Sequence, residues 1–216
     1  MIQAGENNIF LKLKSKHNKY ISTLLKRAAI EHGSSVDPSD YVQNVGEVIS
    51  IPKRISNLPW LKGFTTKDIK VGDTAILRYD VVLDMVDVSD KEDNEPVYRN
   101  RVWYKAEEYF AASIEKIFGV IRDGEIKMIN GYVMTSDFVM SKLIIPIHMT
   151  NEVKGATKAE VISIGSPKEG QKKIKVKKGD TVYFNPDIAQ HYKFQTASGQ
   201  KNFCILTQDK ILGKVI

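Results

Sequence analysis

Two short runs of alternating β-branched and polar positions, Glu47-Val48-Ile49-Ser50-Ile51 and Glu160-Val161-Ile162-Ser163-Ile164, form the clearest hydrophobic pattern in the chain. Alternation with period two predicts strands half buried in a sheet. Each run is followed by a polar stretch and then a Gly-Asp turn, Gly72-Asp73 or Gly179-Asp180, which opens a second strand at Thr74 to Leu77 or Thr181 to Phe184. Short strands with frequent turns predict a mainly β fold of small barrels. Two segments also fit a helix. Ile21, Leu24, Leu25 and Ala28 are spaced i, i+3, i+4, i+7, and no strand signal competes with them there. Tyr109, Phe110, Ile114, Ile117 and Phe118 also fall near helical spacing, but their counterpart Phe203-Cys204-Ile205-Leu206 reads as a strand, so a strand is expected there too.

That counterpart belongs to a repeat. Glu47 to Ile51 returns letter for letter at Glu160 to Ile164, an offset of 113. Ile69-Lys70-Val71-Gly72-Asp73-Thr74 answers Val176-Lys177-Lys178-Gly179-Asp180-Thr181 at an offset of 107, and Ser113-Ile114-Glu115-Lys116-Ile117 answers Thr207-Gln208-Asp209-Lys210-Ile211 at 94. The order is kept while the offset falls, which is expected if the first copy has longer connections, because surface loops absorb insertions at small entropic cost. The expected units are residues 7–124 and 125–216, joined by the turn Arg122-Asp123-Gly124-Glu125.

Composition narrows the function classes. The 216 residues are 42% hydrophobic and 27% charged, as in ordinary globular domains. Leu143-Ile144-Ile145-Pro146-Ile147 is the longest apolar stretch, too short to cross a bilayer, and no secretory signal is visible, so a soluble, cytoplasmic protein is expected. The single cysteine, Cys204, sits in an apolar run as a small core residue. His17, His32, His148 and His191 are scattered without metal-binding spacing, and phosphate loops, nucleophile elbows and dinucleotide fingerprints are missing. A non-enzymatic role without cofactor or metal is expected.

The net charge of +6 lies wholly beyond Gly124, densest at Lys172, Lys173, Lys175, Lys177 and Lys178. Lys175 and Lys177 alternate with Ile174 and Val176, which predicts a strand with one cationic face. A solvated face is the favoured reading, because a nucleic-acid surface would add arginines and stacking aromatics. Asp84, Asp87, Asp90, Glu92, Asp93 and Glu95 form the opposite bias and predict a mobile acidic loop.

The repeated unit resembles the GroES co-chaperonin family. The second unit carries the resemblance nearly end to end, through Tyr132-Val133-Met134, Leu143 to Pro146, Val161-Ile162-Ser163-Ile164-Gly165, Pro167 to Lys173, Lys177-Lys178-Gly179-Asp180-Thr181-Val182 and Ile205 to Leu212. The first unit carries it through Phe10-Leu11-Lys12-Leu13, Gly46 to Ile51, Lys70-Val71-Gly72-Asp73 and Glu107-Glu108-Tyr109-Phe110. It departs at Pro52, where the family has glycine, and between His17 and Tyr41, which is longer than the family's mobile loop. The resemblance implies two tandem GroES-like small irregular β-barrels, similar to double co-chaperonins of plastids and to virus-encoded versions.

It further implies a homo-oligomeric ring that caps a GroEL-type chaperonin in its nucleotide-bound state and assists protein folding. Docking then falls to an apolar tripeptide flanked by polar residues: Leu143, Ile144 and Ile145 with Pro146 in the second unit, and Ile21, Leu24 and Leu25, more weakly, in the first. Three aliphatic side chains removed from water supply roughly 1.5 to 3 kcal/mol each before ordering costs, so one loop binds weakly and a ring of loops binds tightly. Leu143 to Ile147 also reads as a buried strand, and the first-unit residues as a packing helix. The alternative function is a structural or assembly protein, for example viral, that reuses the barrel.

Overall fold

The computed structural model describes residues 2–13, 44–78, 81, 85–86, 97–98, 100–137, 157–171, 176–196 and 199–215. The chain divides into Met1–Glu125 and Ile126–Ile216. Mainly β structure, expected from the alternating pattern, is what both units contain.

In the first unit the strands are β1 (Asn8–Leu13), β2 (Val45–Ser50), β3 (Thr74–Leu77), β4 (Met85–Val86), β5 (Val97–Tyr98), β6 (Arg101–Tyr104), β7 (Glu107–Ser113) and β8 (Ile117–Arg122). Six of these strands run in the order β6-β7-β1-β2-β3-β8, while β4 and β5 pair separately as a two-stranded ribbon. After the turn at Asp123-Gly124, where both residues have positive φ, comes β9 (Glu125–Met128). The second unit contains β10 (Tyr132–Ser136), β11 (Thr157–Ile164), β12 (Thr181–Phe184), β13 (Gln190–Thr196), β14 (Gly199–Thr207) and β15 (Ile211–Lys214), ordered β13-β14-β10-β11-β12-β15. Over these six strands the two orders agree.

The agreement extends to single residues. Glu47 faces Thr74 as Glu160 faces Thr181. Gly119 faces Ile76 as Gly213 faces Tyr183, and both strand pairs then slip at the next position, before Leu77 and Phe184. β1 and β10 carry matching irregularities, between Phe10 and Leu11 and between Met134 and Thr135. The segment with two readings, Tyr109 to Phe118, is strand β7, held between β1 and β6, then a 3-10 turn at Ile114–Lys116. Its counterpart is β14 and a 3-10 turn at Gln208–Lys210. Pairing on both sides of β7 overrides the helical spacing of its apolar residues.

The cores reach the same shape with different side chains. Val133, Val161, Val182, Phe184, Cys204 and Leu206 form the second unit's core. At the matching positions the first unit buries Ile9, Val48, Ala75, Leu77, Phe110 and Ala112. Where one copy buries the large Phe110 with small Ala75 and Ala112, the other buries the small Cys204 with larger Val182 and Leu206. Opposite volume changes within one core help keep a close-packed interior filled.

Candidate functional site

The expected docking residues Leu143, Ile144, Ile145 and Pro146, like Ile21, Leu24 and Leu25, lie outside the described residues. The strands on either side of them in sequence are described. Leu143 to Pro146 fall between β10 and β11, and Ile21, Leu24 and Leu25 between β1 and β2, so both sets occupy the connection between the same two strands. These strands lie inside each sheet, flanked by β14 and β12 in one unit and by β7 and β3 in the other. In the second unit the Ser136 hydroxyl accepts the Glu160 amide at 3.2 Å, and Asn202 donates to Asp137 at 3.2 Å. At the matching end of β1, Lys12 pairs with Glu107 at 2.8 Å, and the Tyr109 hydroxyl donates to the same carboxylate at 2.6 Å. That carboxylate is held below its ordinary range by the Lys12 hydrogen bond first, and by Tyr109. Each connection therefore leaves from hydrogen-bonded stems.

The Lys-x-Gly-Asp motif closes the other end of the shared framework. Gly72 and Gly179 have φ of +92° and +88°, a backbone region that side chains strain and glycine enters freely. The turn then folds onto itself: the Asp73 carboxylate accepts the Lys70 amide at 2.7 Å, and Asp180 accepts that of Lys177 at 3.0 Å. The carbonyls of Asp73 and Asp180 accept the amides of Val48 and Val161, while Gly72 and Gly179 donate to the carbonyls of those valines. Ser50 and Ser163 complete the match, accepting amides from Ala4 at 2.9 Å and Met128 at 3.2 Å. Sequence reading had singled out the motif but missed the serines, whose partners belong to the unaligned starts of the two units. It also missed Asn7 and Gly131, two different residues that both hold positive φ and accept the amide of the 3-10 turn.

Charge partners distinguish the copies. Arg122 grips Asp73 with both arms, at 2.7 and 2.6 Å, and also donates to the Asp68 carbonyl. Asp73 is held below the ordinary carboxylate range, first by that guanidinium and then by the Lys70 amide. Asp180 is lowered too, chiefly by the Lys177 amide and next by Lys214, 3.3 Å away. At position 165 the second unit needs glycine for a further reason: a Cβ there would stand 2.7 Å from the Ile129 backbone. Gly165 also donates to the Tyr132 carbonyl, a bond that Pro52, its counterpart in the first unit, has no N–H to make.

Cys204 is fully buried, its thiol pushed up to about 12 by burial first and by Asp137 next, so it is a packing residue, as expected. The cationic strand expected across Lys172 to Lys178 is not formed where it is described. Val176 is buried in the core and Lys177 opens the Gly-Asp turn, neither in a strand, because the turn's own hydrogen bonds claim that backbone. Residues 172–175 and the acidic side chains Asp84, Asp87, Asp90, Glu92, Asp93 and Glu95 lie outside the described residues. Among the described residues no cluster of His, Cys, Asp and Glu suits a metal ion, and no helix is long and apolar enough to cross a membrane.

The second unit, with its glycine at 165, its Lys-x-Gly-Asp turn and its 3-10 turn before the last strand, decides the family comparison. Residues 128–215 match the chaperonin 10 Kd subunit family, Cpn10. The match spans the second unit, which is similar to co-chaperonins of the GroES kind, and leaves the first unit outside it. Cpn10 is a co-chaperonin family. No curated protein matches the chain significantly.

Proposed function

We propose that this protein is a tandem co-chaperonin: two Cpn10-like barrels in one chain, which assemble into a ring and cap a GroEL-type chaperonin in its nucleotide-bound state. The observation that carries this reading is the recurrence, in the first unit, of the hydrogen bonds that the Cpn10-matching unit makes around its Gly-Asp turn. Val48, Gly72, Asp73 and Ser50 repeat the bonds of Val161, Gly179, Asp180 and Ser163. Such a chain works as a binding scaffold in the cytoplasm, without catalysis and without a cofactor of its own. Docking is assigned to Leu143, Ile144, Ile145 and Pro146, with Ile21, Leu24 and Leu25 as the first unit's weaker counterpart. An apolar segment that orders only on binding loses part of its contact energy to ordering, and a ring of such segments recovers affinity through effective concentration.

The test is native mass spectrometry of the protein alone and mixed with a GroEL-type chaperonin and ADP or ATP. A ring-sized oligomer that joins the chaperonin only with nucleotide is expected. Changing Leu143, Ile144 and Ile145 to serine should abolish joining and leave the oligomer intact, whereas Ile21, Leu24 and Leu25 to serine should weaken it less. An assembly indifferent to chaperonin and nucleotide contradicts the capping role.

A further inference from the structure

The connection between β2 and β3, residues 51–73, and its counterpart between β11 and β12, residues 165–180, together hold eleven of the 32 basic side chains and four of the 26 acidic ones. Their net charge is +7, and the remainder of the chain is −1. Two of those four acids, Asp73 and Asp180, pair with Arg122 and Lys214 from outside the loops, and one of the cations, Arg54, pairs with Glu6 from outside them. The positive charge of this protein is therefore concentrated at one repeated place in the fold. In the first unit that place is an ordered surface, closed by a 3-10 turn at Pro59–Leu61 and pinned beneath by buried Leu61, Phe64 and Ile69. Lys53, Lys62, Lys67 and Lys70 stand exposed on it, and so does Trp60, with 64% of its surface in water.

We propose that the first-unit loop is a docking surface for an acidic polypeptide segment of another protein, with Trp60 as its apolar anchor and the lysines as its charged rim. A large aromatic left in water costs solvation free energy that a partner recovers, and tryptophan within a polar rim is the usual composition of a protein hot spot. The lysines supply the complementary field, which sets the rate of encounter and rejects basic partners. Nucleic acid fits less well: four of the loop's five cations are lysines, which lack the planar fork of arginine, and Trp60 is the loop's lone exposed aromatic. This inference does not depend on the capping role.

The chain has two tryptophans, so replacing Trp103 with phenylalanine leaves Trp60 as a built-in fluorescent reporter. Poly-L-glutamate titrated into this full-length variant should shift Trp60 emission saturably, and the affinity should fall as salt is raised. Adding K53S, K62S and K67S should weaken binding at least about tenfold, whereas K158S, K201S and K210S, which remove the same charge elsewhere, should change it less than about twofold. Equal losses in the two triple variants overturn the proposal, as does an unmoved Trp60 emission. Tighter binding of single-stranded oligo-dT than of poly-L-glutamate at the same salt overturns it in favour of nucleic acid. Association of the lysine variant with chaperonin, measured in parallel, should match the parent, which separates failure here from failure of the capping reading.

Discussion

Asp73 shows how much a single side chain holds in the first unit. Its carboxylate is almost fully buried, gripped by Arg122, and also closes the Lys70 turn. Removing the charge of a buried, doubly bonded partner leaves Arg122 uncompensated, so Asp73→Asn is expected to cost about 2 to 3 kcal/mol at neutral pH. The pH dependence has a defined sign. Asp73 titrates lower in the native chain than its unfolded value of about 3.9, so its contribution is complete above that value and lost as pH falls through the native one. Urea unfolding of both forms should therefore show a gap at pH 7 that narrows toward pH 3. A gap that stays constant would place the loss in packing instead. In the sequence, the Lys-x-Gly-Asp spacing made the turn visible, but Arg122 lies 49 positions away, and nothing local announces a partner at that distance.

Elements were largely legible because alternation with period two and Gly-Asp turns are local signals. β2, β3, β11 and β12 follow the predicted runs, and the helical spacing in β7 was resolved by comparison with β14. What remained unreadable was close approach between backbones. Nothing in Ile164-Gly165-Ser166 tells that Ile129 passes 2.7 Å from where a Cβ would be. Gly165→Ala must push two backbones apart and is expected to destabilise the second unit by about 2 to 4 kcal/mol. Gly170→Ala meets open space and is strained only by its φ of +81°, so its cost should be about 1 to 2 kcal/mol. Thermal denaturation of the two variants checks the order; equal losses would mean that the Ile129 contact relaxes freely.

For the whole molecule, the falling offset of the repeat pointed to two units, and the contacts divide the chain at Glu125. Ala4 bonded to Ser50 extends the first unit to the residues before Asn7, which sequence matching had left out. One asymmetry bears on assembly: on the last strand Leu212 is 68% exposed, while its counterpart Phe118 is 2% exposed. An apolar edge strand left in water invites pairing with another chain. Deleting Val215 and Ile216 is therefore expected to lower the oligomer mass in analytical ultracentrifugation, and an unchanged mass would show that this edge is not an assembly contact. A chain holding two copies of one hydrogen-bond scheme also faces a hazard during folding, since a strand of either copy fits the backbone register of the other. The exchanged volumes at Phe110, Ala75 and Ala112 against Cys204, Val182 and Leu206 oppose that error. A strand exchanged between the copies would carry a side chain of the wrong volume into the other core, so divergence between the copies favours each strand's own partners during synthesis.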